Sequence, residues 1–61
     1  MMKVICWPDA ELSYYNGQYR LTDLKTLVLI DKFYADNEID GICIGAARYG
    51  IFSMANQIKF Q

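Results

Sequence analysis

Sixty-one residues with 54% apolar side chains make one small domain, too hydrophobic for a disordered tail and too short for two domains. Six cations against seven acids leave a net charge of −1, which supplies no long-range field to gather phosphates, so nucleic acid is disfavoured as a partner. The absence of histidine removes the side chain that usually moves protons at neutral pH, and with it any Ser/His or Cys/His nucleophile.

Residues 2–7 are rich in β-branched and aromatic side chains and are closed by Pro8-Asp9, which predicts a first strand. Residues 11–15 and 18–22 flank Asn16-Gly17, the pair best suited to a two-residue type I′ turn. That turn sets Tyr15 opposite Gln18, Tyr14 opposite Tyr19, Ser13 opposite Arg20 and Leu12 opposite Leu21. Alternation then gathers Leu12, Tyr14, Tyr19 and Leu21 on a core face and leaves Ser13, Tyr15, Gln18 and Arg20 on the other. Thr22 is a candidate cap for a helix over 22–36, with Asp23 in its first turn and Asn37 as its stop. Steps of 100° place Leu24, Leu27, Val28, Ile30, Tyr34 and Ala35 on one side of it; a buried strand at 26–30 competes, and the helix is preferred for its length and cap. Residues 36–41 read as a loop.

The last third carries two patterns. Ile44, Ala47, Ile51, Met54 and Ile58 recur at helical spacing, whereas Phe52, Met54, Ile58 and Phe60 alternate with polar residues as in a strand. Gly45 and Gly50 would each cost a helix about 1 kcal/mol, so a hairpin of 42–47 and 51–60 is preferred, with the helix as runner-up. The fold class that follows is α+β: a small single domain over 1–61 in β-ββ-α-ββ order. Its antiparallel or mixed β-sheet packs against one helix at about 22–36.

Two cysteines are too few for a disulfide scaffold, and Cys6 and Cys43 read as small buried apolar residues of a reduced, cytoplasmic protein. No secretion signal and no membrane span is expected. Asp36-Asn37-Glu38-Ile39-Asp40-Gly41 imitates the start of a calcium loop, but the position for a bidentate glutamate holds Ala47, so no metal or other cofactor is expected. A walled catalytic cleft is hard to build in 61 residues, and the chain reads as a non-enzyme.

Three groups of residues point instead to a partner. On a helix over 22–36, Leu29 and Phe33 would project away from the sheet as an i,i+4 pair rimmed by charge, the composition of a small interface core. Asp31 would sit on the core side, which requires either a cation such as Lys3 or Arg20 beside it or a helix rotated so that Asp31 is exposed and Leu29 and Phe33 are buried. Residues 23–40 are the acidic part of the chain, and Asp36, Glu38 and Asp40 make that stretch fit a basic groove on a target. Tyr15 and Arg20, with Tyr19, Tyr49 and Arg48, are of the aromatic and basic type found at single-strand nucleic-acid sites. A core this small, below roughly 70–80 residues, seldom supplies more than about 3–5 kcal/mol, and an open sheet edge would invite a homodimer.

The function expected from these features is a small non-catalytic protein-binding module, an inhibitor or regulator of a larger macromolecule such as a nucleic-acid-processing enzyme. A nucleic-acid-binding accessory protein and a homo-oligomeric structural subunit are the alternatives. In size, sign of charge and lack of catalytic groups the chain is similar to the compact inhibitors that phages deploy against host defence, anti-CRISPR proteins among them. That likeness is one of class, carried by no motif, and it implies a viral protein acting in the host cytoplasm.

Overall fold

The structure, a computed structural model, describes residues 2–59, and side chains as far as residue 56. Asn16 and Gly17 both adopt positive φ, 52° and 79°, the type I′ backbone whose twist matches that of the strands it joins. Around this turn β2 (Ala10–Tyr15) and β3 (Gln18–Asp23) pair in the predicted register, Tyr15 with Gln18 through Leu12 with Leu21. β1 (Met2–Cys6) adds to β2, with a bulge between Lys3 and Ile5, and β4 (Leu29–Tyr34) adds to β3. The result is one antiparallel sheet in the order β1-β2-β3-β4, crossed on one face by α1 (Glu38–Lys59). The α+β class with a single sheet against a single helix therefore holds, while the element order is ββββα.

The predicted helix at 22–36 is replaced by a turn and a strand. Asp23 folds the chain back: its Oδ1 accepts the Lys25 N–H at 2.8 Å, its carbonyl accepts the Leu27 N–H at 2.8 Å, and its own N–H donates to Val28 O at 2.9 Å. Leu27 closes the turn at φ 61°, a left-handed conformation that no helix passes through. The window is also loaded with residues that favour pleated strands (Thr22, Thr26, Val28, Ile30, Phe33 and Tyr34), and length had masked that preference. The competing strand at 26–30 lies nearer to the outcome, displaced toward the C-terminus.

The predicted hairpin of 42–47 and 51–60 is a helix throughout its described part; Phe60 lies outside the described residues. Asn37 starts α1 rather than stopping an earlier helix. Its Oδ1 accepts the Asp40 N–H at 2.9 Å, its Nδ2 donates to Asp40 Oδ2 at 3.2 Å, and its carbonyl takes the first helical N–H, from Gly41, at 3.0 Å. Glu38 and Asp40 place negative charge in the first turn, where the helix dipole favours it. The acidic run read as a loop is thus a helix N-terminus.

Glycine decides how α1 lies on the sheet. A methyl group at Gly41 would fall within the ring of Tyr19, and one at Gly45 would stand 2.6 Å from Leu12 Cδ2, so both positions require glycine for the close approach of helix and sheet. Ala10, Leu12, Tyr19 and Leu21 form the buried centre, with Val4, Ile5, Tyr14, Ile30, Phe33 and Phe52 packed around it. At the far end Trp7 stacks on Tyr49 with ring centroids 4.2 Å apart and 8° between planes. Tyr49 Oη also donates to Asp9 Oδ1 at 2.8 Å. That hydrogen bond, then partial burial and the Asp9 charge, raise the Tyr49 phenol above its ordinary value, against a smaller opposing pull from Ser53.

Candidate functional site

Helix and sheet pack back to back, and each turns its other side outward. Gly41, Gly45, Tyr49 and Phe52 form the side of α1 toward the sheet. Arg48 lies on that side too and pairs with Asp31 of β4, so the cation that Asp31 requires comes from α1 and not from Lys3 or Arg20. The opposite side is occupied by Ile39, Cys43, Ala47, Ile51 and Met54. Ile39, Ile51 and Met54 are 74%, 68% and 64% exposed. Of the helical stripe legible in the sequence, Ala47, Ile51 and Met54 therefore face away from the protein's own core, and Ile44 is half-buried at its flank. Between Gly41 and Asn56 the helix bears one charged residue, Arg48, and that one is neutralised against the sheet. Among the described residues, no helix is long and apolar enough to cross a membrane.

The outer side of the sheet has the contrary character. Cross-strand partners share a face, and the registers align Lys3, Ser13, Arg20 and Lys32 in one row across all four strands. Tyr15, Gln18 and Tyr34 form the next row. Ser13, nearly buried between its neighbours, donates to the Arg20 carbonyl at 3.5 Å. Arg20 Nε donates to Gln18 Oε1 at 2.9 Å, and Gln18 Nε2 donates to Tyr34 Oη at 3.5 Å, which ties the two rows together. Glu11, 3.6 Å from Lys3 Nζ, is the acid of this face. Three of the six cations and one of the seven acids thus lie here, and the net charge of −1 averages over two unlike surfaces.

The predicted partner-binding residues fall into separate places. Tyr15 and Arg20 stand on the outer sheet face, as the hairpin register required. Leu29 and Phe33 are not a pair. The bulge in β4 puts Leu29 opposite Thr22 on the outer face, 41% exposed, and Phe33 opposite Tyr19 on the inner one. There its ring stacks on Tyr19 with centroids 5.6 Å apart, as part of the core. Asp36, Glu38 and Asp40 are exposed at the start of α1, while Asp31 is withdrawn from that cluster by Arg48. Asp36 and Asp40 line a groove of about 290 Å³ with Tyr34, Ala35, Cys43 and Ile44.

Of the proposed aromatic and basic set, Tyr19 is in the core, Tyr49 is stacked on Trp7, and Arg48 is ion-paired. Burial, with the Glu38 charge and Tyr14 adding to it, raises the Tyr19 phenol above its ordinary value. Lys3, Lys32 and Tyr34 are the outer-face residues that sequence reasoning missed. Their signal is cross-strand alignment, which for Lys32 and Tyr34 could be read only after β4 had been recognised and for Lys3 needed the pairing of β1 with β2. Cys6 and Cys43 are exposed, not buried: Cys6 lies opposite Glu11 on the outer sheet face and Cys43 on the outward side of α1. Among the described residues no group of three or more Cys, Asp or Glu side chains could hold a metal ion; in the calcium-like stretch, Asp40 is engaged by Asn37. In comparison with known proteins, the chain matches no family model, no curated protein and no solved structure.

Proposed function

We propose that the chain is a small non-catalytic protein-binding module, an inhibitor or regulator of a larger macromolecule, and that it docks through the outward side of α1. The observation that carries this reading is the helix itself. Between Gly41 and Ala55 the residues of α1 are apolar or small apart from Arg48 and Ser53, and its own sheet covers only one side, so the large apolar side chains of the other side are left without a cover. Ile39, Ile51 and Met54 form the centre of an interface of ordinary composition, with the acids Asp36, Glu38 and Asp40 at its N-terminal rim. A partner that is basic around an apolar patch satisfies both. Nucleic-acid-processing enzymes offer such surfaces, and the class likeness to phage-encoded inhibitors acting in the host cytoplasm belongs to this reading.

The test replaces Ile51 and Met54 together by Glu. Both side chains are exposed, so the double variant should melt like the parent, and it should lose every protein that the parent retains in a pull-down from the native cell. Capture that survives the double substitution would move the interface elsewhere. Sedimentation settles the competing occupant: a parent that dimerises at tens of micromolar, and a variant that does not, would assign the surface to a second copy of the chain.

A further inference from the structure

The outer sheet face lies on the other side of the sheet from α1 and differs from that helix surface in carrying a row of cations. We propose that it is a platform for single-stranded nucleic acid: Arg20 and Lys32 hold the phosphates, joined by Lys3, which exchanges its surface contact with Glu11 for one, and Tyr15 and Tyr34 stack on bases. The geometry supplies both parts. Strand spacing of about 4.8 Å puts the three cations along a line of about 14 Å across the sheet, and the tyrosine row lies about 7 Å from it. Tyr15 and Tyr34, 56% and 71% exposed, stand about 10 Å apart on either side of Gln18. Arg20 is fixed in the row by its bond to Gln18, so its guanidinium is positioned before any ligand arrives.

Exposed rings beside a line of cations are what an unpaired strand requires, because each base offers a flat face and each nucleotide a charge. A duplex offers the charge but keeps its bases stacked inside, out of reach of a flat sheet. An acidic polypeptide would satisfy the lysines and the arginine but gives the two tyrosines nothing to stack on. Both rings and phosphates are common to DNA and RNA, and the face reads neither sequence nor sugar.

Fluorescence anisotropy with labelled ten-residue oligo-dT and oligo-U tests this on the full chain. Saturable binding is expected for both, within a few-fold of each other. Three phosphate contacts should weaken it about 20-fold between roughly 50 and 200 mM salt. Tyr34→Ala should weaken binding about tenfold or more and Tyr34→Phe, which keeps the ring, should restore it. Lys32→Ala should lower the slope of log affinity against log salt by about 0.7. Melting curves of these variants should match the parent, since both positions are exposed. No saturable binding at low salt would overturn the proposal. So would equal affinity for a duplex of the same length, displacement of the oligonucleotide by poly-glutamate at equal charge, or an Ile51→Glu/Met54→Glu variant that binds it as poorly as Tyr34→Ala.

Discussion

At Gly41 and Gly45 the rings and methyls of the sheet occupy the space where a side chain would begin, and helix propensity is reversed there. Gly→Ala ordinarily stabilises a helix by about 1 kcal/mol. At Gly45 the added methyl would press on Leu12, which is wholly buried and has nowhere to turn, so Gly45→Ala should destabilise by about 1–3 kcal/mol. Gly50 meets nothing within 4 Å, and Gly50→Ala should raise the melting temperature by about 4–8 °C. Thermal melts of the two variants, shifted in opposite directions, check the helix placement. Tyr49 gives a test in pH. Its phenol is held protonated in the fold, so the contribution of its bond to Asp9 is present below the ordinary tyrosine value of 10.0 and is lost as pH rises through the raised folded value. Tyr49→Phe should therefore melt below the parent at neutral pH, with the difference closing above about pH 10. In the sequence Gly45 counts against a helix as much as Gly50 does; that Gly45 is a point of contact and Gly50 is not depends on which residues lie beneath, and a propensity scale does not contain that.

The hairpin of β2 and β3 was legible to the residue pair, because Asn16-Gly17 is a local signal that fixes its own register. The elements after Asp23 were not, for two separable reasons. Residues 29–34 become a strand by pairing with β3, a gain that exists only once the sheet does, and the bulge in β4 erases the alternation that would have announced it. Residues 38–59 are preceded by a sound cap in Asn37, bonded to Asp40, but their acids resembled a loop, and the apolar stripe gave no sign of whether it faced in or out. The cap alters one expectation about the acidic cluster. If its charges served only a partner, reversing them would leave the melt unchanged. Glu38→Lys or Asp40→Lys should instead lower stability by about 0.3–1 kcal/mol each through the helix dipole, with a further loss at Asp40 from the broken exchange with Asn37. Denaturant titration separates this from Asp36→Lys, which lies outside α1 and should leave stability near that of the parent.

Taken as a whole, the molecule shows why composition misrepresented its surface. A balance of six cations and seven acids reads as neutral, but folding sorts them: Lys3, Arg20 and Lys32 go to the outer sheet face, Asp36, Glu38 and Asp40 to the start of α1, and Asp31 with Arg48 to the seam between the layers. The position of Tyr15 and Arg20 on the outer sheet face was legible because the hairpin that carries them was. Leu29 and Phe33 are not the outward pair expected, because a turn and a strand replace the helix that was to have borne them, and the large apolar side chains left exposed on a helix are Ile39, Ile51 and Met54 of α1. The two-layer arrangement has one more consequence. Its two broad sides look in opposite directions across a body only one helix and one sheet thick, so a ligand on one side neither covers nor crowds the other. If both proposed surfaces are used, the molecule is a bridge that holds a protein and a strand of nucleic acid at the same moment, each raising the local concentration of the other.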